Sequence, residues 1–569
     1  MKARCGGLIT MAEVERRRYA AVYGPTTGDR VRLADTDLAV EVEADDTSYG
    51  DEILGGCGKT LRDGMMATSR PGASDLDLLI ANVLVLDPVL GVRKTNIGVK
   101  DGRIVGVGRA GNPDIVDNIE MVVGAHTSVI TGEGLIATPG IVDSHVHLSS
   151  PAALDSALTF GTTTVVGMGL GGVWDVGVNP AYNLETLIAG LRRVPMNLAL
   201  LARGSALHPD ILSVALASGA AGLKVHEDFG AYPAIVDTAL CVAEDHDVPV
   251  ALHSDSLNES GMLQDTVDAI DGRTVHAYHV EGGGGHPNLL EILQWSHVLC
   301  SSTTPTIPMG LNTVAELMEM TMTVHRMSAL IDGDREIASS RVHTAGIAAE
   351  NALQDMGAIS IINSDSMGMG RIGEVIRRTF QLASLAKVRT VNRDDAPDND
   401  RVLRFLAKIT INPAVAHGLA HEVGSLEPGK LADIVLWHPG WFATKPELVI
   451  KGGFVAWGLS GSGTGSTRLG QPRSYRPFFG AMGDAPARLS TLFVARASIE
   501  SGWAERVGRL VRTVEVRGAR RLTRADMIRN SAVPAVRVPS DGSPVVVDGR
   551  EVTIEAAAKV PLGQLYHFA

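Results

Sequence analysis

Two histidines separated by one residue, His145 and His147, close the run TPGIVDSHVHL (138–148), an apolar segment of strand type. Side chains at i and i+2 of a strand share a face, so both imidazoles can reach one metal ion without bending the backbone. Further polar residues end other apolar runs: Lys224 and His226 in AGLKVHED, His253 in VPVALHSD, His279 in TVHAYHVEG and Asp365 in AISIINSDS. Taken singly, each of these histidines reads as a satisfied core or surface side chain, and HxH alone is a weak motif. Taken together they do not, because burying so many polar groups without a metal or mutual pairing costs several kcal/mol.

Apolar runs of about five to eight residues with helical stretches between them read as buried parallel strands in a βα-repeat. The expected fold class is α/β, with a (β/α)8 TIM-type barrel over residues 138–425. In such a barrel, reactive groups from distant parts of the sequence collect at the carboxyl ends of the strands. Residues 1–137 carry short β-type runs, LLIANVLVLD (78–87) and KDGRIVGVG (100–108), read as the N-terminal part of a small β-rich domain. Within 426–481, GKLADIVLW (429–437) and TKPELVIKGGFVAWG (444–458) return to short strands that complete its sheet. The polar segment RTVNRDDAPDNDR (389–401) reads as an exposed loop and SGSGTGST (459–466) as a flexible link. The remainder, 482–569, reads as an α+β tail, with a helix in ESGWAERVGRLVRTV and strands near VVVDGREVTI.

At 569 residues the chain exceeds one compact core, and 45% hydrophobic with 20% charged residues is the balance of a soluble globular protein. A formal charge of −13 argues against nucleic acid or an anionic membrane as the main partner and favours a small neutral or cationic substrate. Cys5, Cys57, Cys241 and Cys300 are far apart with no CxxC, so neither a disulfide framework nor a thiolate zinc site is indicated, and a reducing cytoplasm is the expected location. The N-terminal stretch MKARCGGLITMAEVERRR has no long apolar core and offers Met11 as a second start. No stretch approaches the roughly 18 apolar residues of a membrane span.

Longer segments are similar to the α (large, catalytic) subunit of urease, within the metal-dependent amidohydrolase superfamily. YGPTTGDRVRLADTDL (23–38), DSHVHL, GLKVHED, ALHSDSLNESG (251–261), SSTTPTIP (301–308), SDSMGMGRIGEV (364–375), ITINPAVAHGLAHEVGSLEPGKLADIVLW (409–437) and RPFFGA (476–481) resemble segments of that family, in its order and nearly end to end. The resemblance implies two nickel ions, one held by His253 and His279, the other by His145, His147 and Asp365, with Lys224 bridging both as a carbamate. A buried lysine that has lost its proton can add carbon dioxide and become such a carboxylate ligand. By the same resemblance His226 donates to the urea oxygen, and His325 in MTMTVHRM is a mobile-flap histidine oriented by Asp228 and tuned by Arg341. A backbone carbonyl at Gly368 meets the substrate amide. Imidazole and carboxylate ligands suit zinc, iron or manganese as well, so nickel comes from the resemblance alone. The resemblance further implies urea hydrolysis to ammonia and carbamate, β- and γ-type subunits in a trimer of heterotrimers, and accessory proteins that deliver nickel.

The chain also departs from the family pattern. Val324, His325 and Arg326 stand where the flap usually reads Cys-His-His, and Met367-Gly368 replaces Gln-Ala. GMGLGGVWDVGVNPAYN (167–183) replaces a longer threonine-rich loop, and the glycine-rich EGGGGHP is abbreviated, with His286 keeping a place near the site. The metal ligands are retained and the substrate-facing wall is altered. Three readings stay open: a nickel urease catalytic subunit, a dinuclear amidohydrolase acting on a substituted urea, ureido compound or cyclic amide, and an inactive urease-like assembly subunit.

Overall fold

The computed structural model describes residues 13–47, 49–70, 76–169, 182–226, 229–254, 263–281, 286–389, 396–461, 473–507 and 511–568. Eight parallel strands form the expected barrel: β1 (Ile141–His147), β2 (Thr162–Met168), β3 (Asn197–Arg203), β4 (Gly222–Val225), β5 (Val250–His253), β6 (Val275–Tyr278), β7 (Val298–Thr303) and β8 (Ile361–Asn363). Each pairs with its successor in register, for example Lys224 opposite Ala251 and His253 opposite Tyr278. The ring closes between the ends of β8 and β1 through the bridge of Val146 with Ser366 and the bond from His147 N to Ser366 O at 2.9 Å. Almost every strand residue is buried, which explains why these segments read as continuous apolar runs rather than alternating ones.

A second, mixed sheet is built from segments on both sides of the barrel in sequence. Its central strands, Ile136–Pro139 and Ile434–Trp437, pair antiparallel with Ile136 opposite Trp437, so segments from before and after the barrel build one sheet. The sheet continues on one side through Pro446–Lys451, Phe454–Ser460 and Ser474–Pro477, and on the other through Leu78–Asp87 and Gly91–Lys100. The run TPGIVDSHVHL therefore divides at Gly140: Thr138 and Pro139 belong to the small sheet and Ile141 begins the barrel. A Cβ on Gly140 would lie 2.0 Å from Thr163 Oγ1, so the chain can cross from sheet to barrel there only as glycine.

Two segments differ from expectation. In 389–401 Ala396 and Pro397 are exposed coil as expected, but the loop ends there: Asp398 is buried and a helix, Asn399–Ala407, begins at once. Its polar side chains face in because Asp398 accepts from Ala39 N and Asn399 exchanges bonds with the Glu41 backbone. In the tail, ESGWAERVGRLVRTV contributes a short helix, Trp503–Val507, but Arg512–Glu515 is a strand. It pairs with Thr491–Val494, which lies parallel to β3, so the tail extends the barrel sheet. Most of 167–183 and the glycines of EGGGGHP lie outside the described residues.

Candidate metal centre

Five strand ends bring the expected residues together. His145 and His147 end β1, Lys224 lies in β4 with His226 just after it, His253 closes β5, His279 follows β6 and Asp365 follows β8. The Nε2 atoms of His145 and His147 both approach Asp365 Oδ1, at 3.3 and 3.4 Å. One ligand atom each from His145, His279 and Asp365 lies within 4.8 Å of the others, a spacing that suits one shared ion. The remaining imidazoles adjoin this group, with ring centroids 4.3 Å apart for His253 and His279 and 3.9 Å for His226 and His253.

Burial sets the chemistry of these donors. His145 is 1% exposed, and burial, followed by the charges of Lys224 and the neighbouring imidazoles, pushes its pKa well below the ordinary value. A neutral imidazole keeps a lone pair for a metal. Its Nδ1 atom is buried and has no hydrogen-bond partner among the described residues. Burial alone would raise the Asp365 pKa, but the hydrogen bond from His147 and the surrounding imidazoles hold the carboxyl below its usual range, as an anion. Neutral imidazoles around a buried carboxylate are a donor set suited to a divalent cation.

The backbone around Asp365 is shaped for this role. Asp365 and Met367 have positive φ, 50° and 66°, and the loop folds back so that Gly368 N and Gly370 N both donate to Asp365 O. A Cβ on Gly368 would stand 2.3 Å from Asp365 Oδ1 and 3.2 Å from His147 Cδ2. Ser364 ties the two strand ends together, its N donating to Asp143 Oδ1 at 3.1 Å and its Oγ to His145 O at 3.2 Å. Burial lifts the Asp143 carboxyl to about 7 despite those bonds.

The donors line a cavity of about 350 Å³ whose other walls include Leu317, Val324, His325, Gly368 and Met369. His325 ends the helix Thr313–Val324. Its Nδ1 lies 2.9 Å from Thr321 O and its Nε2 3.0 Å from Arg341 Nη1. A carbonyl only accepts and a guanidinium only donates, so these partners select the neutral tautomer with the proton on Nδ1. Asp228 lies outside the described residues.

Two residues beside these donors were not singled out in the sequence. Tyr278 stacks on His145 with centroids 4.0 Å apart, yet it reads as one more apolar strand residue. Glu281, 1% exposed, lines the cavity and accepts from Thr303 Oγ1 at 2.6 Å. Its place two residues after His279 was the available clue.

The amidohydrolase family model matches residues 136–472, and that of the urease alpha-subunit N-terminal domain matches residues 12–130. Urease subunit alpha 2 of Streptomyces coelicolor is 48% identical over 551 residues, 96% of this chain and 98% of that protein. This chain belongs to the urease alpha-subunit family. Other members of the family are as close: urease subunit alpha 1 of Streptomyces avermitilis is 48% identical over 96% of this chain and 99% of its own length. Urease subunit alpha of Laribacter hongkongensis is 46% identical over 98% of this chain and its whole length. As an alpha subunit, the chain is a hydrolase of C–N bonds built on the amidohydrolase barrel. Among the described residues no helix is long and apolar enough to cross a membrane.

Proposed function

We propose that this chain is the catalytic subunit of a urease and hydrolyses urea to ammonia and carbamate at a dinuclear nickel centre. The observation that carries the reading is the convergence of His145, His147, His253, His279 and Asp365 from four strand ends into one cavity, in a chain 48% identical to a urease alpha subunit. His253 and His279 would hold one ion, and His145, His147 and Asp365 the other. Lys224, wholly buried on β4, would bridge them after its side-chain amine adds to carbon dioxide, forming an N–C bond and releasing one proton to solvent. Bound there, divalent ions supply Lewis acidity toward the urea carbonyl and make water more acidic.

The protein's own groups do the rest. His226, packed against His253, would donate to the urea oxygen. His325 on the flap serves the leaving nitrogen, with Thr321 O and Arg341 fixing where its proton resides. Asp228 is assigned beside it on the sequence match alone. The Gly368 carbonyl is assigned to accept from a urea amide. The names of its relatives as subunits support assembly with other subunits; β- and γ-type partners in a trimer of heterotrimers, nickel-delivery proteins and a cytoplasmic location are assigned on the sequence resemblance alone.

One observation favours a second reading. Apolar Leu317, Val324 and Met369 in the cavity wall suit a substituted urea, which offers an alkyl group for them to pack against. Ammonia release from urea and from N-alkyl ureas, measured with counted nickel per chain, decides between them. Turnover of urea above all others supports the urease reading, preference for a substituted urea supports the second, and metal uptake with no turnover of either overturns both.

A further inference from the structure

Tyr278 ends β6, is fully buried, and touches parts of the site that belong to different strands. Its ring lies 4.0 Å from that of His145 on β1, with the planes 21° apart. Lys224 Nζ on β4 stands 3.8 Å from the same ring's centroid. Its hydroxyl donates to Ser144 O, the carbonyl immediately before His145, at 2.5 Å. His276, two residues back on the same strand face, meets the Tyr278 ring edge-on at 4.7 Å and is itself bonded to His417 at 2.9 Å, so the ring is supported from the barrel interior as well.

We propose that Tyr278 is a positioning residue for the metal centre: its ring and hydroxyl hold the His145 imidazole and the Lys224 amine in ligating positions before any ion arrives. The proposal rests on the reading of His145 and Lys224 as ligands given above. Stacking fixes the plane of the imidazole, the ring face fixes the end of a long and otherwise rotatable lysine, and the hydroxyl pins the backbone from which His145 projects. One side chain thereby links β1, β4 and β6 across the barrel, the kind of support that orients ligands in metal sites. Any buried phenol needs a partner for its hydroxyl; what ties this one to the site is that the partner is the carbonyl preceding His145 and that Lys224 lies over the ring face.

The test uses the full chain stripped of metal and its Tyr278→Met and Tyr278→Phe variants. Nickel affinity is read by chelator competition, with and without bicarbonate, beside the melting temperature of the metal-free protein. Tyr278→Met is expected to lose about 10–100-fold in affinity and most of the gain that bicarbonate confers, because Lys224 is no longer held. Tyr278→Phe restores the bicarbonate gain but stays roughly two- to tenfold weaker than wild type, for want of the bond to Ser144 O. A Tyr278→Met variant that melts lower yet binds nickel as wild type does, with the bicarbonate gain intact, overturns the proposal by showing a structural role only. Should that variant not fold, Tyr278→Phe decides: affinity equal to wild type overturns the proposal. A wild-type chain that takes up no nickel in either buffer overturns the proposed function itself.

Discussion

Replacing Asp433 by asparagine removes one negative charge from the junction of barrel and sheet while hardly changing volume. Asp433 Oδ2 accepts from the Lys451 ammonium at 2.5 Å and from Asn197 Nδ2 at 2.6 Å, and Oδ1 accepts from Gly452 N at 2.9 Å. An asparagine amide must turn its NH2 toward the first two groups or toward Gly452 N, so donors oppose donors either way. Lys451, wholly buried, then keeps the Thr163 carbonyl at 3.3 Å. Breaking a buried pair in this manner costs about 3–5 kcal/mol. Deprotonating the lysine at neutral pH caps the loss near 5 kcal/mol, at about 1.4 kcal/mol for each of roughly three and a half pH units. Burial already lowers the Lys451 pKa against the attraction of Asp433, and removing the aspartate lowers it further. A lysine so depressed binds fewer protons in the folded than in the unfolded state, so stability rises with pH. The deficit against wild type therefore shrinks from about pH 7 to about pH 10, by at most about 1.4 kcal/mol per unit. Guanidinium unfolding followed by tryptophan fluorescence at both pH values measures it. A cost under about 1 kcal/mol at neutral pH, or a deficit that holds or grows as pH rises, refutes the reasoning.

Lys224→Ala is expected to lose both metals and activity, since the bridging group is gone; full nickel occupancy by elemental analysis in that variant counts against the bridge. His325→Ala should keep its metals and slow turnover by about 10²-fold or more, and an unchanged rate means the flap histidine has been misplaced. Burial pushes the Cys300 thiol up to about 11, whereas Cys57 and Cys241 are exposed. Near pH 8 alkylation mapped by mass spectrometry should therefore mark Cys57 and Cys241 and spare Cys300 until the chain unfolds; early labelling of Cys300 would show that the β7 core opens.

The barrel and the residues gathered at its mouth were legible because five of its eight strands are apolar runs ended by a residue that burial alone does not explain, a contrast a sequence displays directly. His145, Lys224, His253, His279 and Asp365 all announced themselves in this way. Tyr278 did not, since an aromatic inside an apolar strand reads as packing, and only the fold brings Ser144 O and Lys224 to it. Nor did the sequence single out Asp433 and Lys451: Asp433 precedes one short strand and Lys451 ends the next, and their pairing depends on the antiparallel register of those neighbours. Residues 512–514 were read as helix because their run continues a helical pattern, while pairing beside Thr491–Val494 makes them part of the strand Arg512–Glu515. Local periodicity yields to partners brought in from elsewhere in the chain.

The central claim is that imidazoles, Asp365 and a carbamylated Lys224 hold two ions at the carboxyl ends of the barrel strands. Anomalous diffraction at the nickel edge, from crystals of the chain loaded with nickel and bicarbonate, addresses it most directly. The account predicts two peaks in the cavity, one beside His253 and His279 and one beside His145, His147 and Asp365, with density extending Lys224 Nζ between them. A single peak, peaks away from these residues, or an unextended lysine beside two bound ions would contradict it.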